Sequence, residues 1–221
     1  MKQFINRNQI NNYVFLAAVE MIILFMFKNA VNTDDIMANT FSIIIIVVFI
    51  VPVVLSYFSA DILPIFNNMI IPRFQTKKKL FYFITEKIFL DSFKIVCILL
   101  LPVHFAAVFI YQIDFFVIMR YYISFVINIM IICMIFMIVY FKTRNKNVAV
   151  IITYCLSNIT NLLSSLFREN AVPNLTALML FKYENNIILI TAIVLFTILL
   201  AIILYINICK LELLGESKNV L

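Results

Sequence analysis

The chain has a single glycine in 221 residues, Gly215. Loops that cradle phosphates need several glycines close together, because only a residue without Cβ lets the backbone wrap tightly around the anion. A P-loop and a dinucleotide fingerprint are both excluded. The chain therefore has no Walker-type site for ATP, and no cofactor is expected within it. Charge is also scarce: Asp, Glu, Lys and Arg make up 13% of the residues, whereas 65% are apolar. A soluble domain runs near a quarter charged and half apolar, and a core of ordinary size could not hide this much hydrophobic surface. A lipid bilayer is the natural solvent, which excludes a secreted disulfide scaffold, a nucleic-acid-binding domain and a soluble enzyme.

There are four cysteines, Cys97, Cys133, Cys155 and Cys209. They sit in apolar runs or at the end of one, without CxxC spacing, so neither a disulfide framework nor a zinc cluster is written here. The formal charge of +6 could point to nucleic acid, but the basic residues are interleaved with membrane-length apolar stretches. They report topology, and no nucleic-acid partner is expected.

Crossing about 30 Å of hydrocarbon takes roughly 20 apolar residues at 1.5 Å each. Six runs approach that length: 13–31, 41–58, 95–111, 121–141, 148–167 and 187–206. Each must be helical in lipid, where an unpaired backbone amide costs several kcal/mol. With both termini on the inner side, thirteen of the 17 basic residues face inward, and only Lys28, Arg120, Arg168 and Lys182 face outward. That split follows the positive-inside rule. Lys2 and Arg7 ahead of an apolar stretch also fit a signal peptide, but no A-x-A-like site follows Phe27.

The longest connection is the inner segment 59–94. The stretch 80–111 would measure about 48 Å as a helix, far more than one straight crossing. Leu80, Phe81, Ile84 and Ile88 share one face, with Lys78, Lys79, Thr85 and Glu86 mostly away from it. This predicts an amphipathic helix at the inner interface. The plainer alternative is that the lysines anchor the third span against anionic lipid.

Two inner spans joined by a loop with a short helix, then Arg73, Phe74, Thr76, Lys77 and Lys78, resemble small permease subunits of ABC type-2 exporters. The nearest likeness is to those associated with peptide-antibiotic (lantibiotic or bacteriocin) immunity or peptide export in Gram-positive bacteria. The glycine near Gln75 and the tryptophan after the basic cluster that such chains often carry are missing here. The resemblance implies a coupling helix in the second loop that docks a separate cytoplasmic ABC ATPase, with ATP and magnesium held on that partner. Carried onto this chain, the coupling element is 61–73, bracketed by Pro64 and Pro72, which fit helix boundaries better than interiors. Asp61, Pro64, Asn67, Asn68, Pro72, Arg73, Lys77 and Lys78 are the expected contacts with the ATPase. The resemblance also implies short helices dipping into the membrane between the fifth and sixth spans, where 173–181 is apolar and too short to cross.

Glu20 lies near the middle of the first span, where a carboxylate needs a proton or a partner. It is a candidate functional acid, although locking the first span to a neighbouring helix is the simpler role. In the fifth span Thr153, Ser157, Thr160, Asn161 and Ser164 fall within an arc of about 100°, with Asn158 and Ser165 beside them. Such a stripe serves either helix packing or a translocation path. The resemblance places the fifth span near the central path of a dimer, so Glu20, Thr153, Ser157, Asn161 and Ser164 are assigned to the path or the subunit seam. His104 follows Cys97 by seven residues on one face of the third span. A thiolate and its base could be arranged so, although the membrane peptidases that use this pair carry the histidine first.

The expectation is an all-α polytopic membrane protein, one transmembrane domain over 1–221 in the plasma membrane of a Gram-positive bacterium, with six spans and both termini cytoplasmic. It is expected to be the permease subunit of an ATP-driven exporter of amphipathic or antimicrobial peptides or other hydrophobic cargo, itself not an enzyme. Its partners would be the ATPase, a second permease subunit, identical or related, and membrane lipid. The alternatives are an intramembrane Cys/His peptidase and a stand-alone immunity or scaffold protein.

Overall fold

The structure is a computed structural model that describes residues 7–31, 36–42, 44–66, 76–166 and 187–211. Every regular element among them is a helix. α1 is Arg7–Ala30 and α2 is the short Ile36–Thr40. A π-helical turn, Ile45–Ile50, runs straight into α3, Val51–Ile62, which ends in a 3₁₀ turn at Leu63–Phe66. α4 covers Lys77–Phe105 and continues as a second π turn, Ala106–Ile110. α5 is Phe115–Thr143, α6 is Lys146–Leu166 and α7 is Ile187–Cys209.

A helix thus forms at each of the six apolar runs. Three are long and apolar enough to cross a membrane: Ile45–Ile62, Lys77–Ile110 and the Tyr121–Thr143 part of α5. Helix occupies most of the expected inner connection 59–94, because α3 runs on to Ile62 and α4 begins at Lys77. The outside of the bundle is apolar. On α7, Val194, Leu195, Phe196, Ile198, Leu199 and Ile202 are all exposed, while Leu200, Leu204 and Ile208 are buried. An exposed surface of this kind far exceeds what a protein in water carries, and it marks a membrane-embedded one.

Both π turns neighbour a proline. Pro52 has no N–H to give the carbonyl of Val48, and just before it Val51 donates to Ile46, five residues back. Pro102 lies inside α4, and Tyr111 N–H reaches the carbonyl of Ala106, again five back, at 3.2 Å. A missing donor leaves the helical ladder free to widen locally.

α5 is the central helix, packed against α3, α4, α6 and α7. Phe125 and Phe136 on it are fully buried and meet Phe41 and Phe58 edge to face, with ring centroids 5.0 and 5.8 Å apart. Short connections fix the directions. Residues 111–114 turn α4 back into α5, and Arg144 and Asn145 alone turn α5 into α6. The start of α4, the end of α5 and the start of α6 therefore lie at one end of the bundle, which carries Lys77, Lys78, Lys79, Lys142, Arg144 and Lys146.

Helix ends are set by side chains. Thr76 caps α4 by accepting from Lys79 N–H at 3.3 Å, and Asp114 caps α5 by accepting from Phe116 N–H at 3.0 Å. Asn145 caps α6, its Oδ1 accepting from Asn147 and Val148 N–H at 2.9 and 3.3 Å. In a chain so poor in glycine, the left-handed positions at the turns fall on Gln112 (φ 55°) and Arg144 (φ 54°).

Candidate functional site

The described part of the expected coupling element starts at Asp61, in the last turn of α3, and Pro64, exposed in the 3₁₀ turn that follows. Pro64 sits just past the helix end, where a residue without an N–H is tolerated. Asn67, Asn68, Pro72 and Arg73 lie outside the described residues. Lys77 and Lys78 form the first turn of α4, and the Lys78 ammonium lies 6.0 Å from the centroid of the Tyr82 ring.

The expected interfacial face of Leu80, Phe81, Ile84 and Ile88 turns inward instead. Leu80, Ile84 and Ile88 are fully buried, and the half-buried Phe81 meets Tyr205 of α7 edge to face at 5.2 Å. The neighbouring helices, with α7 at Phe81, offer this face apolar partners inside the protein, so it does not need the lipid interface.

What the bundle assembles at this end is an ionic cluster that sequence reasoning missed. Lys87, two to three turns into α4, gives its Nζ to Asp61 of α3. The same ammonium donates to Oδ1 of Asp91 at 3.1 Å, and Lys94 Nζ stands 3.9 Å from that oxygen. Asp91 is fully buried and its Oδ2 has no hydrogen-bond partner among the described residues. The side chains of Asp61 and Lys87 remain about a quarter and a fifth exposed, at 26% and 20%, so the cluster grades from water at Asp61 to full burial at Asp91. A charge so deep persists only when paired and hydrogen-bonded.

Its depth follows from the helix rise. From Asp91 to Ile110 is about 28 Å, nearly the thickness of the hydrocarbon, and from Lys77 to Asp91 about 21 Å more. α4 with its π turn is therefore about 21 Å longer than one straight crossing needs. The visible sequence signal was the Lys87/Asp91 pair at i,i+4 on the edge of an apolar run. Nothing local announced Asp61, 26 residues away from Lys87.

The path or seam candidates separate into two places. Thr153 and Ser157 are buried with Ala149 on one face of α6, while Ile151, Ile152, Cys155, Leu156 and Ile159 of the same helix are exposed. Asn158, also buried, donates to the carbonyl of Tyr154 at 2.9 Å. The buried hydroxyls therefore face the rest of the chain. Asn161 and Ser164 lie on α6, with their side chains outside the described residues. Glu20 is half-buried near the middle of α1 and makes no hydrogen bond or ion pair among the described residues. The apolar stretch 173–181 is outside them.

His104 is buried, with Nδ1 at 3.3 Å from the Tyr122 hydroxyl and its ring 4.5 Å from that of Phe115. Cys97 is two helical turns away, about 10 Å along α4. All four cysteines are free thiols. Among the described residues no three His, Cys, Asp or Glu side chains gather as a metal site would require. Comparison with protein-family models, with curated proteins and with solved structures gives no match.

Proposed function

We propose that this chain is the permease subunit of an ATP-driven exporter, crossing the membrane six times with both termini in the cytoplasm. A separate ABC ATPase, holding ATP and magnesium, docks on the connection between α3 and α4. A second permease subunit completes a central path for amphipathic or other hydrophobic cargo, with peptides the favoured class. The membrane is the plasma membrane of a Gram-positive bacterium.

The observation that supports this reading is the ionic tie between the end of α3 and α4. α4 continues about 21 Å past the membrane-length part of the helix, and Lys87 ties that extension to Asp61, next to the expected docking segment. Force applied at the end of α3 therefore reaches α4 through the Asp61–Lys87 contact. Basic side chains at the same end give an anionic or carbonyl-rich protein surface something to bind. An intramembrane peptidase draws no support from Cys97 and His104, because the thiol lies two turns from the base it would need.

Purification of the full chain in mild detergent from its native host, scored for a co-purifying nucleotide-binding protein, tests the reading. An associated ATPase whose capture is lost with Arg73→Ala, while the chain stays folded, is the expected result. Capture of no nucleotide-binding chain by the intact protein would sink it.

A further inference from the structure

The geometry points to Lys87 as a switch between two acceptors, Asp61 on α3 and Asp91 on α4, through which movement of the α3–α4 connection is passed to the membrane-buried part of α4. The exchange of partners is a property of the cluster itself; its use in transmission rests on the permease reading.

The two acceptors differ in what they tolerate. Asp61 is partly exposed at the end of α3, so water can replace its ammonium. Asp91 is fully buried and cannot be left bare. An ammonium has three N–H donors, and here it serves both carboxylates. Asp91 also holds capacity in reserve. Its Oδ2 has no partner among the described residues, and Lys94 stands 3.9 Å from its Oδ1.

When the end of α3 draws away, Lys87 moves wholly onto Asp91, while Asp61 is rehydrated. No buried charge is stranded in either state, and the site keeps the same net charge. Two arrangements that both satisfy the buried group suit the pair to a mechanical link between a docking segment and a span.

A lipid-permeant carbodiimide reads the contacts directly in the purified full-length protein. It activates a carboxyl and joins it to an amine in contact, losing water to form an amide that peptide mass spectrometry locates. The wild type should yield both Lys87–Asp61 and Lys87–Asp91 amides. In Asp61→Asn the Lys87–Asp91 amide should rise at least twofold, because the competing acceptor is gone. An unchanged or lower yield would overturn the switch.

The wild type alone provides a second test should that variant not fold. Raising the salt screens the exposed arm first, so the ratio of amides should shift toward Asp91, and a constant ratio would also overturn the switch. The detergent capture of an ATPase keeps the two ideas apart. Partner exchange without a captured ATPase leaves the switch standing and removes the permease reading, whereas a captured ATPase without exchange removes only the switch.

Discussion

Phe58 of α3 and Phe136 of α5 meet edge to face, with ring centroids 5.8 Å apart at an interplanar angle of 82°, and both rings are fully buried. The contact joins the central helix to the one that leads into the expected docking segment. Phe136→Ala should cost about 3–5 kcal/mol by leaving a cavity the helices cannot close. Phe109→Ala, at a residue 74% exposed, should stay within about 0.5 kcal/mol. Unfolding of both variants in detergent with a graded denaturant provides the comparison, and equal losses would contradict the packing described.

Lys87→Met should be among the most damaging single changes at this end of the bundle. It leaves Asp91 buried with only the distant Lys94, and breaking one partner of a buried pair costs about 3–5 kcal/mol. Since the side chain of Lys87 is partly exposed, the lower end of that range is expected. Lys87→Met combined with Asp91→Leu should recover much of the loss, because no buried charge then lacks a partner. Thermal unfolding of the single and double variants in detergent measures the recovery, and a double variant worse than Lys87→Met alone would argue against a stranded carboxylate.

Arg144→Gly should stabilise the chain by about 0.5–1 kcal/mol. Arg144 ends α5 at φ 54°, a conformation that glycine adopts without the Cβ clash, although part of the gain is returned through a more flexible unfolded chain. Arg144→Val, with a branched side chain in the same conformation, should destabilise by about 1 kcal/mol or more. A denaturant midpoint that falls with glycine would mean that Arg144 contributes something beyond its backbone angle.

The sidedness of the bundle can be read with two single cysteines in a background where the native four are replaced by serine. Gln112→Cys, in the α4–α5 turn, should react with a membrane-impermeant maleimide added outside intact cells. Asn145→Cys, in the α5–α6 turn, should react only after the cells are opened. Labelling of both from the same side would break the antiparallel α4–α5 arrangement across the bilayer.

Much of the helical layout was legible because apolar runs leave no other backbone solution in lipid. The length of α4 followed from the stretch 80–111, and burial of Thr153 and Ser157 agrees with the packing role that small hydroxylated residues usually have. The face of Leu80, Ile84 and Ile88 was identified correctly as apolar, but its destination depended on helices distant in the chain, α7 among them. The same holds for Lys87. Its pairing with Asp91 is local, but Asp61 arrives from another helix, and no periodicity encodes a contact between separate elements. The left-handed Gln112 left no pattern either, since glycine, the residue that usually marks such a place, is almost absent here.

With only Arg144 and Asn145 between them, α5 and α6 have no slack and must lie side by side and antiparallel. Whatever tilts or lifts the end of α5 therefore carries the start of α6 with it, and the pair behaves as one rigid hairpin.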